Sequence, residues 1–383
     1  MGRTLLGWLR AREPLLTRLL GDFVRIESSS DDPAGVNRLV ARLSAEWKVR
    51  RARVERLRAP AASRLPDLLR CEISPAPGGA PGQILLLGHT DTVYARGTLE
   101  HMPFRIAGRR AMGPGVLDMK AGLVIALAAV DALRAAGTGP RRRVVCLWTP
   151  DEEIGSKCSR AAIEREARRS AAVLVLEPGT GPRGKLKTAR KGVGEFLLEI
   201  SGRAAHAGVN PQQGVNAVHE LALQIAGVAR FADPRRGITV NADVVAGGTR
   251  TNVIAASARA QVDVRCTRAA DMRRIEARFR ALRPILPGAK LRVSGGMDRP
   301  PMERRVAAQL FERARLLGRE LGLRIEESFT GGGSDGNFTA ALGVPTLDGL
   351  GGFGGGAHTP GEFVTTRSLA QRAALLALLL RTL

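Results

Sequence analysis

Five side chains of metal-binding type are spread along this 383-residue chain: His89, Asp118, Glu153, Glu177 and His358. Glu152 is a further acid beside one of them. Two imidazoles and three carboxylates suit a site for a pair of zinc ions. Oxygen and imidazole donors without thiolate also admit cobalt or manganese. Paired ions sharing a carboxylate would acidify a water and polarise a carbonyl. Glu152 would then sit where a general base is needed, close to the water it deprotonates. The chemistry expected from this set is metal-dependent hydrolysis.

Each residue also has a plainer reading. His89 and Asp91 form an H-x-D pair, and residues i and i+2 of an extended segment point to the same side. A metal-bound imidazole needs its second ring nitrogen held, often by a carboxylate, which is the role expected of Asp91. Without a metal, His89 is a loop histidine. Asp118 opens a helical stretch, where it is either a helix cap or a carboxylate bridging two metals through its two oxygens. Asp151-Glu152-Glu153 is either an acid-rich helix start or a ligand with a base beside it. Glu177 follows a fully apolar run and precedes Pro178, which leaves it few ordinary explanations. His358 lies in Gly354-Gly355-Gly356-Ala357-His358-Thr359-Pro360, a glycine-rich stretch suited to lining a site.

The elements that must position these groups are legible as short apolar runs. QILLL (83–87) leads into His89, RVVCLW (143–148) into Glu152-Glu153, and AVLVL (172–176) into Glu177. Helical patterns lie between them, over 119–136 and around 159–169. Strands alternating with helices predict an α/β fold, a mostly parallel mixed sheet with helices on both faces. In such sheets ligands bind beyond the carboxyl ends of the strands. Near residue 190 the pattern changes to strand-helix-strand-strand-helix-strand, a ferredoxin-like α+β arrangement. The expected organisation is a catalytic domain of residues 1–189 and 298–383, with residues 190–297 inserted.

Composition narrows the function classes. Lys and Arg number 59 against 36 Asp and Glu, for a net charge of +23; seven of the 59 are Lys, so 52 are Arg. Such a charge suits a nucleic-acid partner. The Arg residues, however, are spread along the whole chain, and aromatics at 4% leave little for base stacking. A solvated basic surface is the expectation, with no nucleic-acid partner. The four Cys lie far apart with no CxxC spacing, so neither a disulfide framework nor a thiolate zinc site is expected. The N-terminus reads as an amphipathic helix rather than a signal peptide, and no apolar stretch is long enough to span a bilayer. A cytoplasmic protein with no membrane partner follows.

Two motifs compete with the metal reading. Gly332-Gly333-Ser334-Asp335-Gly336 satisfies G-x-S-x-G, the serine-hydrolase elbow, with Asp348 and His358 following in order. Neither a long apolar strand before Ser334 nor a helical pattern directly after it is evident. Gly349-Leu350-Gly351-Gly352-Phe353-Gly354 fits G-x-G-x-x-G, but no helix opens there, so a dinucleotide site fails its context.

The segments HTDTV (89–93), GPGVLDMKAG (113–122), TPDEEIGS (149–156), LEPG (176–179), GRAAHAG (202–208), GGTRTNVIAASA (247–258), TGGGSDG (330–336) and GGGAHTPGEFV (354–364) resemble the M20 metallopeptidases. The likeness is greatest to the glutamate carboxypeptidase branch. It runs from about residue 80 to the C-terminus, and no ligand position is substituted. The resemblance implies that His89, Asp118, Glu153, Glu177 and His358 bind two zinc ions with Asp118 bridging. It implies Glu152 as general base and Asp91 as the acid behind His89. The insert would be a lid and homodimerisation domain whose His206 reaches the partner's active site. Asn252, Arg265, Gly333 and Lys191 would contact substrate, and a guanidinium fork at Arg265 suits a terminal carboxylate. The implied reaction is release of a C-terminal amino acid from a peptide. N-acyl amino acid deacylation, of the acetylornithine or succinyl-diaminopimelate type, is the alternative.

Overall fold

A computed structural model of the chain describes residues 2–58 and 65–383. These divide into two compact units: Met1–Ala189 with Arg304–Phe329 and Ser334–Leu383, and Arg190–Glu303 with Thr330–Gly333.

The first unit is built on a six-stranded sheet. Its spatial order is Arg53–Leu57, Leu68–Ile73, Arg143–Thr149, Gln83–His89, Ser170–Val175, Thr346–Leu347. The last four strands run parallel, and the first two form an antiparallel arm against Arg143–Thr149. The parallel strands are buried on both faces, which is why they read as unbroken apolar runs. Leu85, Leu87, Val145, Leu147, Val173 and Val175 face one way and pack with Ile163, Ala167 and Phe338. Leu86, Cys146 and Leu174 face the other way and are equally sealed from solvent. Helices Ala121–Ala135 and Arg367–Thr382, apolar on nearly every side, pack on each other, and the first also meets Gln83–His89. Burying each such aliphatic side chain contributes about 1.5–3 kcal/mol.

The register of this sheet fixes where the chain leaves it. His89 is level with Thr149, and Leu87 with both Leu147 and Val175. His89, the Asp151–Glu153 stretch and Glu177 therefore emerge at the same carboxyl edge. Asp118 departs from the sequence expectation. The helix begins only at Ala121, and Asp118 lies before it in an irregular turn with a cis Asp118–Met119 peptide. Its φ of −113° and ψ of 96° are not helical, and it caps nothing.

The second unit is a four-stranded antiparallel sheet with helices Ala217–Ala229 and Ala269–Arg280. The strand order is Thr239–Gly247, Ser257–Cys266, Gly192–Ser201, Lys290–Arg299, the arrangement of a ferredoxin-like fold. Its core is Phe196, Leu198, Ile200, Val262, Val264 and Phe279, with the Phe196 and Phe279 rings stacked 3.9 Å apart. The last strand continues through Gly295-Gly296 to Arg299, and the unit includes residues as far as Glu303.

Candidate metal centre

The five proposed ligands converge at the carboxyl edge of the six-stranded sheet. His89 Nε2 lies 3.4 Å from Asp118 Oδ1 and 3.4 Å from Glu177 Oε1. His358 Nε2 lies 3.4 Å from Asp118 Oδ2 and 3.4 Å from Glu153 Oε2. The two halves thus share one carboxylate, one oxygen each. At 3.4 Å these contacts are longer than hydrogen bonds between imidazole and carboxylate. Donors held about 2.0–2.1 Å from a tetrahedral zinc would stand about 3.3–3.4 Å apart, which is the spacing observed.

Hydrogen-bond accounting gives an independent test of fit. His89 Nε2, Asp118 Oδ1 and Glu153 Oε1 are buried without a hydrogen-bond partner. Leaving such an atom unsatisfied costs about 1–3 kcal/mol. A cation bound between them would answer all three, so the donor set fits divalent metal. Titration behaviour agrees. Burial lowers the His89 pKa, but Asp118, Asp91 and Glu177 outweigh it and hold it well above the usual imidazole value. Contacts with Asp118 and Glu153 raise His358 to about 10. Burial raises Asp118, yet His358 and His89 override it and hold that carboxyl far below its ordinary range. Burial keeps the Glu153 pKa raised, with His358 opposing. The cluster draws positive charge onto its two imidazoles, as protons or as cations.

The supports behind the ligands differ in part from expectation. His89 Nδ1 donates to the main-chain carbonyl of Asp91 at 3.0 Å, whereas the Asp91 carboxylate stands 3.5 Å away. That carboxylate instead accepts from the amides of Glu152 and Glu153, at 3.2 and 3.1 Å, and from Ser30 Oγ at 2.8 Å. Asp91 therefore orients the Glu152–Glu153 turn as well as the imidazole. Glu152 and Glu153 begin a three-residue 3-10 turn, not an α-helix. Carboxylate or imidazole atoms of Glu152, His89 and Glu177 all lie within 4.8 Å of one another, so Glu152 reaches the same centre. His358 adopts φ +62°. Its loop depends on Gly356, at φ +72°, where a Cβ would come within 2.7 Å of the Gly361 carbonyl.

A short helix, Gly336–Ala341, does follow Ser334, because Asn337 and Ser334 close its first turn. Ser334 is fully buried, however, and its hydroxyl donates to Asp348 at 2.7 Å, while His358 is turned to Asp118 and Glu153.

In the insert, His206 is exposed, and its Nδ1 accepts from the amides of Gly208 and Val209 at 3.2 and 3.1 Å. The Asn252 carbonyl accepts from Ala207, tying that residue to the same turn. Arg265 forks onto Asp263 of its own strand at 2.8–3.0 Å. The Lys191 amide donates to Thr330 O, and Arg190 donates to the carbonyls of Gly332 and Gly333 at 3.1 and 2.8 Å. Sequence reasoning passed over Ser30, Tyr94 and Glu362, all of which support the ligand segments. Glu362 carried the only available signal, an acid embedded in the His358 motif.

A parallel sheet with a carboxylate shared between two imidazole–carboxylate halves at its carboxyl edge, together with a ferredoxin-like insert, defines the class of a two-unit α/β metallohydrolase. The chain belongs to peptidase family M20/M25/M40, whose family model matches residues 85–382. It is 31% identical over 379 residues to carboxypeptidase G2 of Pseudomonas sp. (strain RS-16), covering 97% of this chain and 90% of that protein. It is 30% identical over 239 residues to acetylornithine deacetylase of Edwardsiella ictaluri, covering 55% and 61%. Among solved structures it is similar to aminopeptidase PepT of Bacillus cereus, with a TM-score of 0.78 at 22% identity over 96% of this chain and 98% of that one. The last likeness concerns the fold alone.

Proposed function

We propose that this chain is a two-zinc amidohydrolase that releases a C-terminal amino acid from a peptide or related amide. One observation carries the reading: each oxygen of Asp118 faces a different imidazole at 3.4 Å, and each imidazole faces a second carboxylate at the same distance. His89, Asp118 and Glu177 would hold one ion, and His358, Asp118 and Glu153 the other. When bound, the ions supply Lewis-acid polarisation of the amide carbonyl and an acidified water. Glu152 takes the proton of the attacking water and delivers it to the leaving amine. Asp91 keeps Glu152 in place through its amide.

Near full-length similarity to a carboxypeptidase favours substrates with a free terminal carboxylate. Arg265 and Lys191 supply cationic groups for it, and Asn252 and the Gly333 backbone supply polar ones. Arg265 must exchange its Asp263 partner for the substrate carboxylate. His206 is assigned to oxyanion stabilisation in the site of a second copy. A homodimer through residues 190–297 suits the exposed edge strand Thr239–Gly247, where Val244 and Val245 are 54% and 56% exposed. Such an apolar edge invites pairing. Four free thiols suit a reducing, cytoplasmic setting. Among the described residues no helix is long and apolar enough to cross a membrane. A second reading, N-acyl amino acid deacylation, is favoured by the similarity to acetylornithine deacetylase over about half the chain.

The decisive variant is Glu152→Ala. Turnover on a panel of dipeptides and N-acyl amino acids with added zinc should fall about 10²–10⁴-fold, the usual contribution of a general base. Metal content should stay at two ions. Turnover near the parent value would remove Glu152 from the mechanism.

A further inference from the structure

The turn that carries Asp118 closes two backbone bonds of its own, from Val116 N to Gly113 O and from Lys120 N to Gly115 O. Three other amides of the turn point at one side chain remote in sequence. Glu362 Oε1 accepts from Leu117 N at 2.7 Å and Asp118 N at 2.9 Å, and Oε2 accepts from Gly115 N at 3.1 Å. The same Oε2 accepts from the hydroxyl of Tyr94 at 2.5 Å, within the range of a charge-assisted O–H···O⁻ bond. Tyr94, the protein's single tyrosine, also lies 2.9 Å from the carbonyl of Thr359, next to His358. Glu362 is fully buried. Gly115 is held at φ +67°, where a Cβ would come within 2.5 Å of Thr92 Cγ2, so the turn has little room to relax.

These contacts join the three segments that carry His89, Asp118 and His358. Tyr94 follows His89 by five residues, and Glu362 follows His358 by four. A bridging carboxylate must keep both oxygens at ligand distance at once, so a small rotation of its backbone disturbs both ions. We propose that Glu362 and Tyr94 are a positioning pair that sets the orientation of the bridging Asp118 and the His358 loop, and thereby the affinity for both metal ions. The inference rests on the two-ion reading above.

The test is competitive zinc titration against a chromophoric chelator on the purified full chain, with Tm followed in parallel. Glu362→Gln replaces an oxygen that accepts two hydrogen bonds with an amide that faces other donors. It should weaken both ions about 10–100-fold, the usual effect of losing an outer-shell partner. Tyr94→Phe removes only the hydroxyl and should weaken them about 10-fold, at the lower end of the same range. Glu220→Gln is the control. Glu220 is equally buried and accepts from the amides of Ile285 and Leu286 inside the insert. It should lower Tm and leave zinc affinity unchanged. If Glu362→Gln does not fold, Tyr94→Phe alone decides. Zinc affinity within twofold of the parent in either variant overturns the pair, even if Tm falls. A parent protein that binds no pair of ions would instead sink the two-ion reading.

Discussion

The two halves of the centre are built differently although their contacts have the same length. His89 and Glu177 stand at the ends of adjacent parallel strands, with side chains 1% and 9% exposed. His358 stands on a loop and Glu153 in a 3-10 turn, and their side chains are 50% and 7% exposed. Sheet register sets the places of both residues in the first half, and the Asp91 carbonyl holds the His89 ring. The second half needs the Asp91 carboxylate behind Glu153 and a glycine-dependent loop behind His358. An ordered backbone ladder is stiffer than a loop, so the strand-borne half should be the tighter and slower-exchanging ion site.

Asp118→Asn strikes both halves together and has the largest expected effect. One of the two oxygens becomes an amide nitrogen and the negative charge between the halves is lost, so both ions should weaken and turnover should fall to background in assays with excess zinc. Retention of one tightly held ion would show that the halves are more independent than their common carboxylate implies. His358→Ala removes only the loop-borne imidazole. Metal analysis should then find one ion retained through His89, Asp118 and Glu177. Loss of both would contradict the ranking of the halves. Asp91→Ala is the mildest. It should reduce activity or metal affinity about 10–100-fold, chiefly at the loop-borne half, because Asp91 holds the amides of Glu152 and Glu153. An equal loss at the strand-borne half would mean that the contact to His89 matters more than the loop.

The contrast also explains what was legible beforehand. The strands that end near His89, Glu153 and Glu177 are buried on both faces, so they appear as continuous apolar runs whatever surrounds them. The antiparallel arm of Arg53–Leu57 and Leu68–Ile73 is not legible as apolar runs, because RVERL is mostly exposed and LLRCEI carries charges within it. The insert was readable because its strands alternate and its helices are bounded. Asp118 was ambiguous, since an Asp before a helix is an ordinary cap. Only the turn held by Glu362 excludes that reading. The order His89-Thr90-Asp91 suggests a pairing of imidazole with carboxylate, yet the imidazole uses the main-chain carbonyl and the carboxylate turns to a neighbouring segment. Nothing in the local pattern distinguishes those two acceptors.

The sequence by itself determined the donor types, the strand ends that bear three of them, and the alternation that makes a parallel sheet with an antiparallel insert. These depend on periodicity within ten or so residues, which the chain carries locally. The tertiary structure decided which oxygen of Asp118 faces which imidazole, which acid backs which loop, and that Tyr94 and Glu362 belong to the centre. Those relations join residues up to 268 positions apart. They are set by sheet register and by the need to satisfy buried amides, and neither is written in any short stretch of the chain.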